Sequence, residues 1–445
     1  MPICRRKRGS LALVPAVLTC GILLFSGCQN SPFEAQKPVQ LSIKDVSAVR
    51  LNYRFEADVP GPTEIPGQRK PEERNAAVQA DFDNNRLTEL LDMTISSPDR
   101  KHVLAVYHRI NDIQSEYRLD MYLPDGTGQR KMTSDTMAVH FPESIVWSPD
   151  STSLAFVAMI RAGQIDTGAS PSPGTTPSKT QPAANTATPE ESEDAEAESP
   201  QTPSAPTPPA PTGILTFRTE QIYIASADGS GVKAVTENEG LIYFFYAWSP
   251  DSSMLAALAT TSREWRYQEI VAESKKEMMI PAGRPRIIEK NGRERRLDDG
   301  VTSVHPVWSP DSLKVADAFE TQIRIYDAAG TTPTQAAIPL RNQLLISSQA
   351  YDRNLQRQSQ ESNTGADANA QALEAPSPEQ PLSMLPDEKQ LVSYNPIVEI
   401  AWSTEDLLYL KTAYVKLMKN EADNVTSFAR WHRLVLSPQP AAPVR

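Results

Sequence analysis

Val307-Trp308-Ser309-Pro310-Asp311, running on into Val315-Ala316, decides the fold because the chain repeats it. Ile145-Val146-Trp147-Ser148-Pro149-Asp150 before Leu154-Ala155-Phe156, and Ala247-Trp248-Ser249-Pro250-Asp251 before Leu255-Ala256, are the same unit. Ser96-Ser97-Pro98-Asp99 and Trp402-Ser403-Thr404-Glu405 are worn copies. A repeat at a period of several tens of residues means a solenoid, a propeller or an array. Each of the first four units leads on to an alternating apolar strand and a glycine turn. Examples are Tyr117 to Leu123 before Pro124-Asp125-Gly126, Gln221 to Ala225 before Asp228-Gly229, and Gln322 to Tyr326 before Ala329-Gly330. Period-two alternation between turn residues that tolerate positive φ reads as a four-stranded antiparallel blade.

These residues resemble the β-propeller repeats of the TolB family of the bacterial Tol-Pal envelope system. The same repeats occur in the propeller domains of prolyl-oligopeptidase-like peptidases. The resemblance implies an all-β propeller of five to six four-stranded antiparallel blades with two disordered insertions, used as a binding platform. One departure stands out: Ser151, Ser252 and Ser312 follow the repeat aspartate where the family usually has glycine, which is expected to loosen the turn. Trp147, Trp248, Trp308 and Trp402 are expected to pack between blades, and Asp150, Asp251 and Asp311 to shape the turns.

The motif acids Asp99, Asp150, Asp251, Asp311 and Glu405 lie 51, 101, 60 and 94 residues apart. The two long intervals hold compositional islands. Residues 167–213 are Pro, Ser, Thr and Ala around an acidic Glu190-Glu191-Ser192-Glu193-Asp194 core, and residues 356–386 are rich in Gln, Asn, Ala and Pro. Neither can offset its ordering entropy by burial, so both are expected to be disordered. Between them Gln343 to Ser347 reads as one stray strand, which leaves room for a sixth blade. The last repeat ends at Trp431 to Leu436 without a fourth strand, while Ala48 to Phe55 alternates cleanly ahead of the first. The early strand is expected to pair with the final blade, closing the ring and covering the edge that an open propeller would expose. The propeller thus spans residues 45–438, with a tail at 439–445.

Ahead of it, Arg5-Arg6-Lys7-Arg8, an apolar run from Leu11 to Phe25 and then Ser26-Gly27-Cys28 read as a lipoprotein signal over residues 1–27. Cys28 is the expected lipid attachment site, and residues 28–44 the tether. The apolar run is short for a membrane span and contains Pro15. Gln29 after the cysteine points to the outer membrane, facing the periplasm. All three cysteines, Cys4, Cys20 and Cys28, lie in this stretch, so no disulfide framework or cysteine metal site is expected. Losing the four leader bases takes the formal charge from −11 to −15. So acidic a chain is a poor binder of nucleic acid, and membrane contact should come from the lipid alone.

No catalytic signature appears. There is no G-x-S-x-G nucleophile elbow, and His102, His108, His140, His305 and His432 have no metal-ligand spacing. Asp125 and Asp228 read as turn formers, and the run from Asp81 to Asp92 lacks the glycine a calcium loop needs. No cofactor, metal or enzymatic activity is expected. In a blade of strands a to d, the tight a–b and c–d turns share one face, and the b–c and d–a connections share the other. Both islands and the long connection from Ser262 to Gly283 fall on that second, loop-rich face. There Arg263, Trp265, Arg266 and Tyr267 are the expected contacts for an envelope protein or complex, since Trp, Tyr and Arg dominate interface energetics. The competing reading packs Trp265 and Tyr267 beneath their own loop. The alternative function is a receptor or hydrolase for a small molecule, glycan or peptide in the central channel.

Overall fold

The computed structural model describes residues 42–65, 72–110, 116–160, 220–330, 335–364 and 385–439. The leader with Cys28, the first island and residues 365–384 of the second lie outside them. Within them the chain is mostly β, with three α-helices, and its strands pair antiparallel.

β1 (Leu51–Glu56) comes first but belongs to the last sheet. After α1 (Ala76–Asn85), the first sheet runs β2 (Glu89–Ser96), β3 (Val103–Arg109), β4 (Arg118–Tyr122), β5 (Arg130–Lys131). In the second, β6 (Met137–His140) and β7 (Val146–Trp147) share the first position, followed by β8 (Ser153–Ile160), β9 (Gln221–Ser226) and β10 (Lys233–Ala234). The third is β11 (Leu241–Trp248), β12 (Met254–Thr261), β13 (Arg284–Glu289) and β14 (Glu294–Arg296), with α2 (Ser262–Lys275) between β12 and β13. The fourth is β15 (Val307–Trp308), β16 (Lys314–Phe319), β17 (Gln322–Asp327) and β18 (Gln335–Pro339). α3 (Arg341–Thr364) leads to β19 (Ile397–Thr404), β20 (Leu407–Lys416) and β21 (Val425–Pro438). β1 lies along β21, from Leu51 opposite Pro438 to Glu56 opposite Arg433, giving the fifth sheet its fourth strand.

The repeat motif builds a turn and a joint at once. Pro149, Pro250 and Pro310 occupy the second position of a four-residue turn, closed by the backbone N–H of Ser151, Ser252 and Ser312 donating to the carbonyls of Ser148, Ser249 and Ser309. The closing serines have φ of 61°, 62° and 64°, the left-handed geometry that follows a type I turn in a three-residue hairpin loop. The first serine of each motif donates to the motif aspartate at 2.6 Å (Ser148, Ser249 and Ser309). In the first sheet the Ser97 hydroxyl and the Lys101 backbone hold the Asp99 carboxyl down at about 2.

Serine in place of glycine does not loosen these turns. Each left-handed serine hydroxyl accepts the aspartate backbone N–H of the preceding sheet: Asp99 to Ser151 at 3.1 Å, Asp150 to Ser252 at 3.1 Å, Asp251 to Ser312 at 3.0 Å. The indoles make a second link across the same interfaces, donating back the other way, Trp147 to the Ile95 carbonyl, Trp248 to Val146 and Trp308 to Ala247. Glycine would free the backbone of strain worth about 1 kcal/mol but has no hydroxyl to accept the bond. Between the links lie apolar interfaces, such as Ile95, Leu104 and Met121 with Trp147, Leu154 and Phe156.

The fifth sheet joins differently. The Trp402 indole donates to Glu405 in its own turn, and Asp406 stands where the accepting serine would be. The sheet is held instead by the Ile397 N–H on the Glu320 carbonyl at 2.7 Å, the Ala48 N–H on Asp327 at 3.0 Å, and Arg430 reaching Ser348 of α3 at 2.8 Å. Its far face, with Glu399, Tyr409, Lys411, Trp431 and Arg433, stays half-exposed. On the first sheet the corresponding face is covered by α1. Val78 and Phe82 pack on Leu91, Val103, Ala105, Tyr107 and Tyr122, and Arg86 bonds Asp120 at 2.9 Å beneath the helix.

Two expectations need correction. Gln343 to Ser347 is no strand but the start of α3, where Leu344 and Leu345 are buried. The helix continues through residues 356–364, so the second island is ordered at its beginning. Leucines and long polar residues with no proline before Pro376 favour helix there.

The serine joint predicts an unusual order of effects. Ser252→Ala, which loses the bond and keeps the strain, should destabilise by about 1–2 kcal/mol, and Ser252→Gly by about 1 kcal/mol less. Urea unfolding of the two variants checks this, and alanine matching or surpassing glycine would contradict it.

Candidate interaction site

The long b–c connection of the third sheet is a capped helix. The Thr261 hydroxyl accepts the Glu264 N–H while Glu264 reaches back to the Thr261 N–H, a capping box. Glu264 also takes both arms of Arg284 from β13, at 2.9 and 2.8 Å, and this pairing pulls its carboxyl down to about 2. Lys276, left-handed at φ 57°, ends α2.

The four expected contact residues separate on this helix. Trp265 is 5 % exposed, set between Phe141 and Phe244 with its indole on Glu269 at 2.8 Å. It anchors α2 to the sheets and is not available to a partner. Arg263 is exposed, Arg266 is exposed and paired with Glu269 at 3.0 Å, and Tyr267 is 69 % exposed. A helix turns successive residues by about 100°, so neighbours in sequence end on different faces.

The returning chain makes the site. Gln268 bonds Ala282 reciprocally through its amide, at 3.0 and 2.8 Å, and holds residues 277–282 beside the helix. Between them opens a groove of about 530 Å³ walled by Tyr267, Val271, Met278, Met279, Ile280 and Val301. Tyr267, Ile270, Met278, Ile280 and Val301 are each about half exposed or more, a concentration of apolar surface that marks a contact region. The groove's two carboxylates are matched internally, Glu264 by Arg284 and Glu277 by Lys416 at 3.5 Å. A neutral apolar cleft suits an apolar segment rather than a charged ligand. The sequence reading missed Met278, Met279, Ile280 and Val301, although Met278-Met279-Ile280 in a long connection was a visible signal.

Other singled-out residues serve the fold. Asp125 and Asp228 accept N–H groups two residues on, from Thr127 and Ser230 at 3.0 Å, beside Gly126 and Gly229 at φ 80° and 78°. Asp81 lies in α1 and accepts the Tyr122 hydroxyl, while Asp92 pairs with His108 at 2.6 Å. Among the described residues no group of three or more His, Cys, Asp or Glu side chains is placed to hold a metal ion, and no helix is long and apolar enough to cross a membrane.

No family model matches the chain, and no curated protein does. Solved structures do. An oligogalacturonate lyase from Vibrio parahaemolyticus aligns at 8% identity and a TM-score of 0.33, over 77% of this chain and 65% of that one. Prolyl oligopeptidase B from Galerina marginata, bound to a macrocyclization substrate, aligns at 10% identity and 0.37, over 85% and 44%. The chain spans less than two thirds of the length of each. At these scores the likeness carries no argument about activity, and the fold rests on the strand pairing itself.

One fully buried acid lies on the fourth sheet. Asp317 on β16 has no exposed surface and accepts the Ala318 N–H at 2.7 Å. Burial, helped by the negative charge of Asp298, pushes its carboxyl well above the usual range. Asp298 itself takes the Tyr326 hydroxyl, Arg324 and the Gly300 N–H at 2.6 to 2.7 Å. Against the desolvation it suffers, those bonds keep it ionised below its ordinary value. Asp317 therefore stays protonated in the fold while the unfolded chain releases its proton above about pH 4. Stability is lost as pH rises from there toward the folded value. Asp317→Asn should gain on the wild type by about 1.4 kcal/mol per pH unit across that window. Urea unfolding at pH 4.5 and 7 measures the difference; a gap independent of pH would contradict the assignment.

Proposed function

We propose that this chain is a lipid-anchored platform of five propeller blades of the TolB-like repeat type, which binds an apolar segment of a partner protein at the bacterial cell envelope. The observation that carries it is the groove beside α2, where Tyr267, Met278 and Ile280 stand open around one apolar cleft. Methionine-lined clefts adapt to apolar side chains of varied shape. An amphipathic helix laid along such a groove needs only a few anchors at i, i+3 and i+4 spacing.

The path of the chain supports an orientation. The Ser42 hydroxyl bonds Glu405 in the a–b turn of the fifth sheet, and Gln439 bonds Arg50 near the start of β1. Ser42 thus stands on the tight-turn face, and the α2 groove opens among the b–c connections of the opposite face, which a lipid anchor on the Ser42 side would turn away from the membrane.

Tyr267→Ala with Ile280→Ala removes two exposed anchors and should weaken partner capture by tenfold or more, leaving the melting temperature within about a degree. Cross-linking in whole cells followed by identification of the captured protein checks this. A partner recovered equally by the double variant would contradict the groove assignment.

A further inference from the structure

The b–c hairpin of the fifth sheet is longer than its sheet requires. β20 and β21 stay paired from Leu407 opposite Val435 to Thr412 opposite Arg430, and the register then slips. Beyond the slip, Tyr414 to Lys416 pair with Val425 to Ser427 as a two-stranded ribbon. Phe428, at φ 54°, sits in the slip, a left-handed conformation costly for a bulky side chain. Residues 419–426 at the tip are exposed. A two-stranded ribbon is at best marginally stable alone.

Its tip is bonded to a sheet that is not its neighbour in sequence. It reaches the third, where the Met278 N–H donates to the Leu417 carbonyl at 2.9 Å and the Lys419 N–H to the Lys276 carbonyl at 3.4 Å. Glu277 and Met418 form an antiparallel bridge between them. Two ion pairs flank it, Lys419 to Glu273 at 2.7 Å and Lys416 to Glu277 at 3.5 Å. Lys419 and Glu273 are both more than half exposed, so that pair is weak and salt-sensitive. Glu277 and Met278, on which the tip docks, are also wall residues of the α2 groove.

We propose that this ribbon is a latch: it hinges at the Ala413 and Phe428 slip, clasps residues 276–278, and by doing so holds the wall of the α2 groove in its binding shape. The consequence for binding rests on the groove being the docking site; the latch itself does not. The bistable element is named by its parts, a strained hinge, a ribbon without a core and a clasp of two backbone bonds and two surface ion pairs. Closure pre-orders Met278 and its neighbours, so a partner meets a formed cleft; opening leaves that ordering to be supplied at binding.

Amide hydrogen exchange of the full chain, with no partner present, tests the latch. Lys416→Glu with Lys419→Glu should speed exchange at the Met278 and Lys419 amides roughly tenfold, and 0.5 M sodium chloride should speed it roughly threefold in the wild type. The melting temperature should hold. Adding Glu273→Lys and Glu277→Lys to the first pair should restore protection by swapping the charges. Unchanged protection in the reversed variant, or a loss spread across all five sheets, would overturn the latch. Partner capture in cells by the same variants then tests the coupling. Capture that falls with the reversed pair and recovers with the swap supports it, and capture indifferent to both overturns it while leaving the Tyr267 and Ile280 test of the groove intact.

Discussion

The hydrogen bond from a motif aspartate N–H to a left-handed serine one sheet further on is the constraint around which this molecule is arranged. It needs three conditions together: a proline that sets the turn, a residue at φ near 62°, and a hydroxyl on that residue. With the indole bond donated back the other way it gives each of three successive interfaces two directional contacts of about 1 kcal/mol each. Apolar burial supplies most of the favourable energy but little direction. The paired bonds set how far one sheet slides and turns on the next, and therefore where the connections of each sheet emerge.

The series of joints has two ends. Arg100 takes the serine position in the first sheet with no acceptor on its side chain, and Asp406 takes it in the fifth without the left-handed backbone, its carboxylate accepting the Thr404 hydroxyl at 2.9 Å instead. Both ends are finished by other means. α1 lies across the first sheet and ends at Arg86, whose guanidinium is largely covered over the rings of Phe82 and Tyr107. The fifth sheet takes β1 along its edge, with Glu56 and Arg433 paired across the two strands. Freed from the repeat geometry, the fifth sheet carries the long ribbon that crosses to the third.

Much of this is readable in the residues. Trp-Ser-Pro-Asp units and period-two strands announce antiparallel sheets, and the alternation ahead of the first repeat matches β1 from Leu51 to Phe55, while its first three residues, Ala48 to Arg50, form a 3-10 turn. Other parts are not local. Serine where glycine is usual looks like a defect until the neighbouring aspartate N–H is beside it, 102 residues away in sequence for Asp150 and Ser252. Gln343 to Ser347 carries the short apolar run of a strand, Leu344-Leu345-Ile346, yet it opens a helix that buries both leucines and leaves Ile346 exposed. Tyr267 and Trp265 look equivalent as neighbouring aromatics, and helical rotation alone sends one to solvent and one to the core. The groove's methionines come from the chain returning after α2, and nothing in their own pattern says which face they will line.

The most direct test of the central claim is exchange of the four repeat indole N–H protons under native conditions. Trp147, Trp248 and Trp308, each bonded across a sheet interface, should exchange together at the rate of global unfolding, and Trp402, bonded within its own turn, should exchange faster by local opening. Trp402 as slow as the others, or Trp147, Trp248 and Trp308 each opening at a different rate, would contradict the account of four sheets joined as one unit.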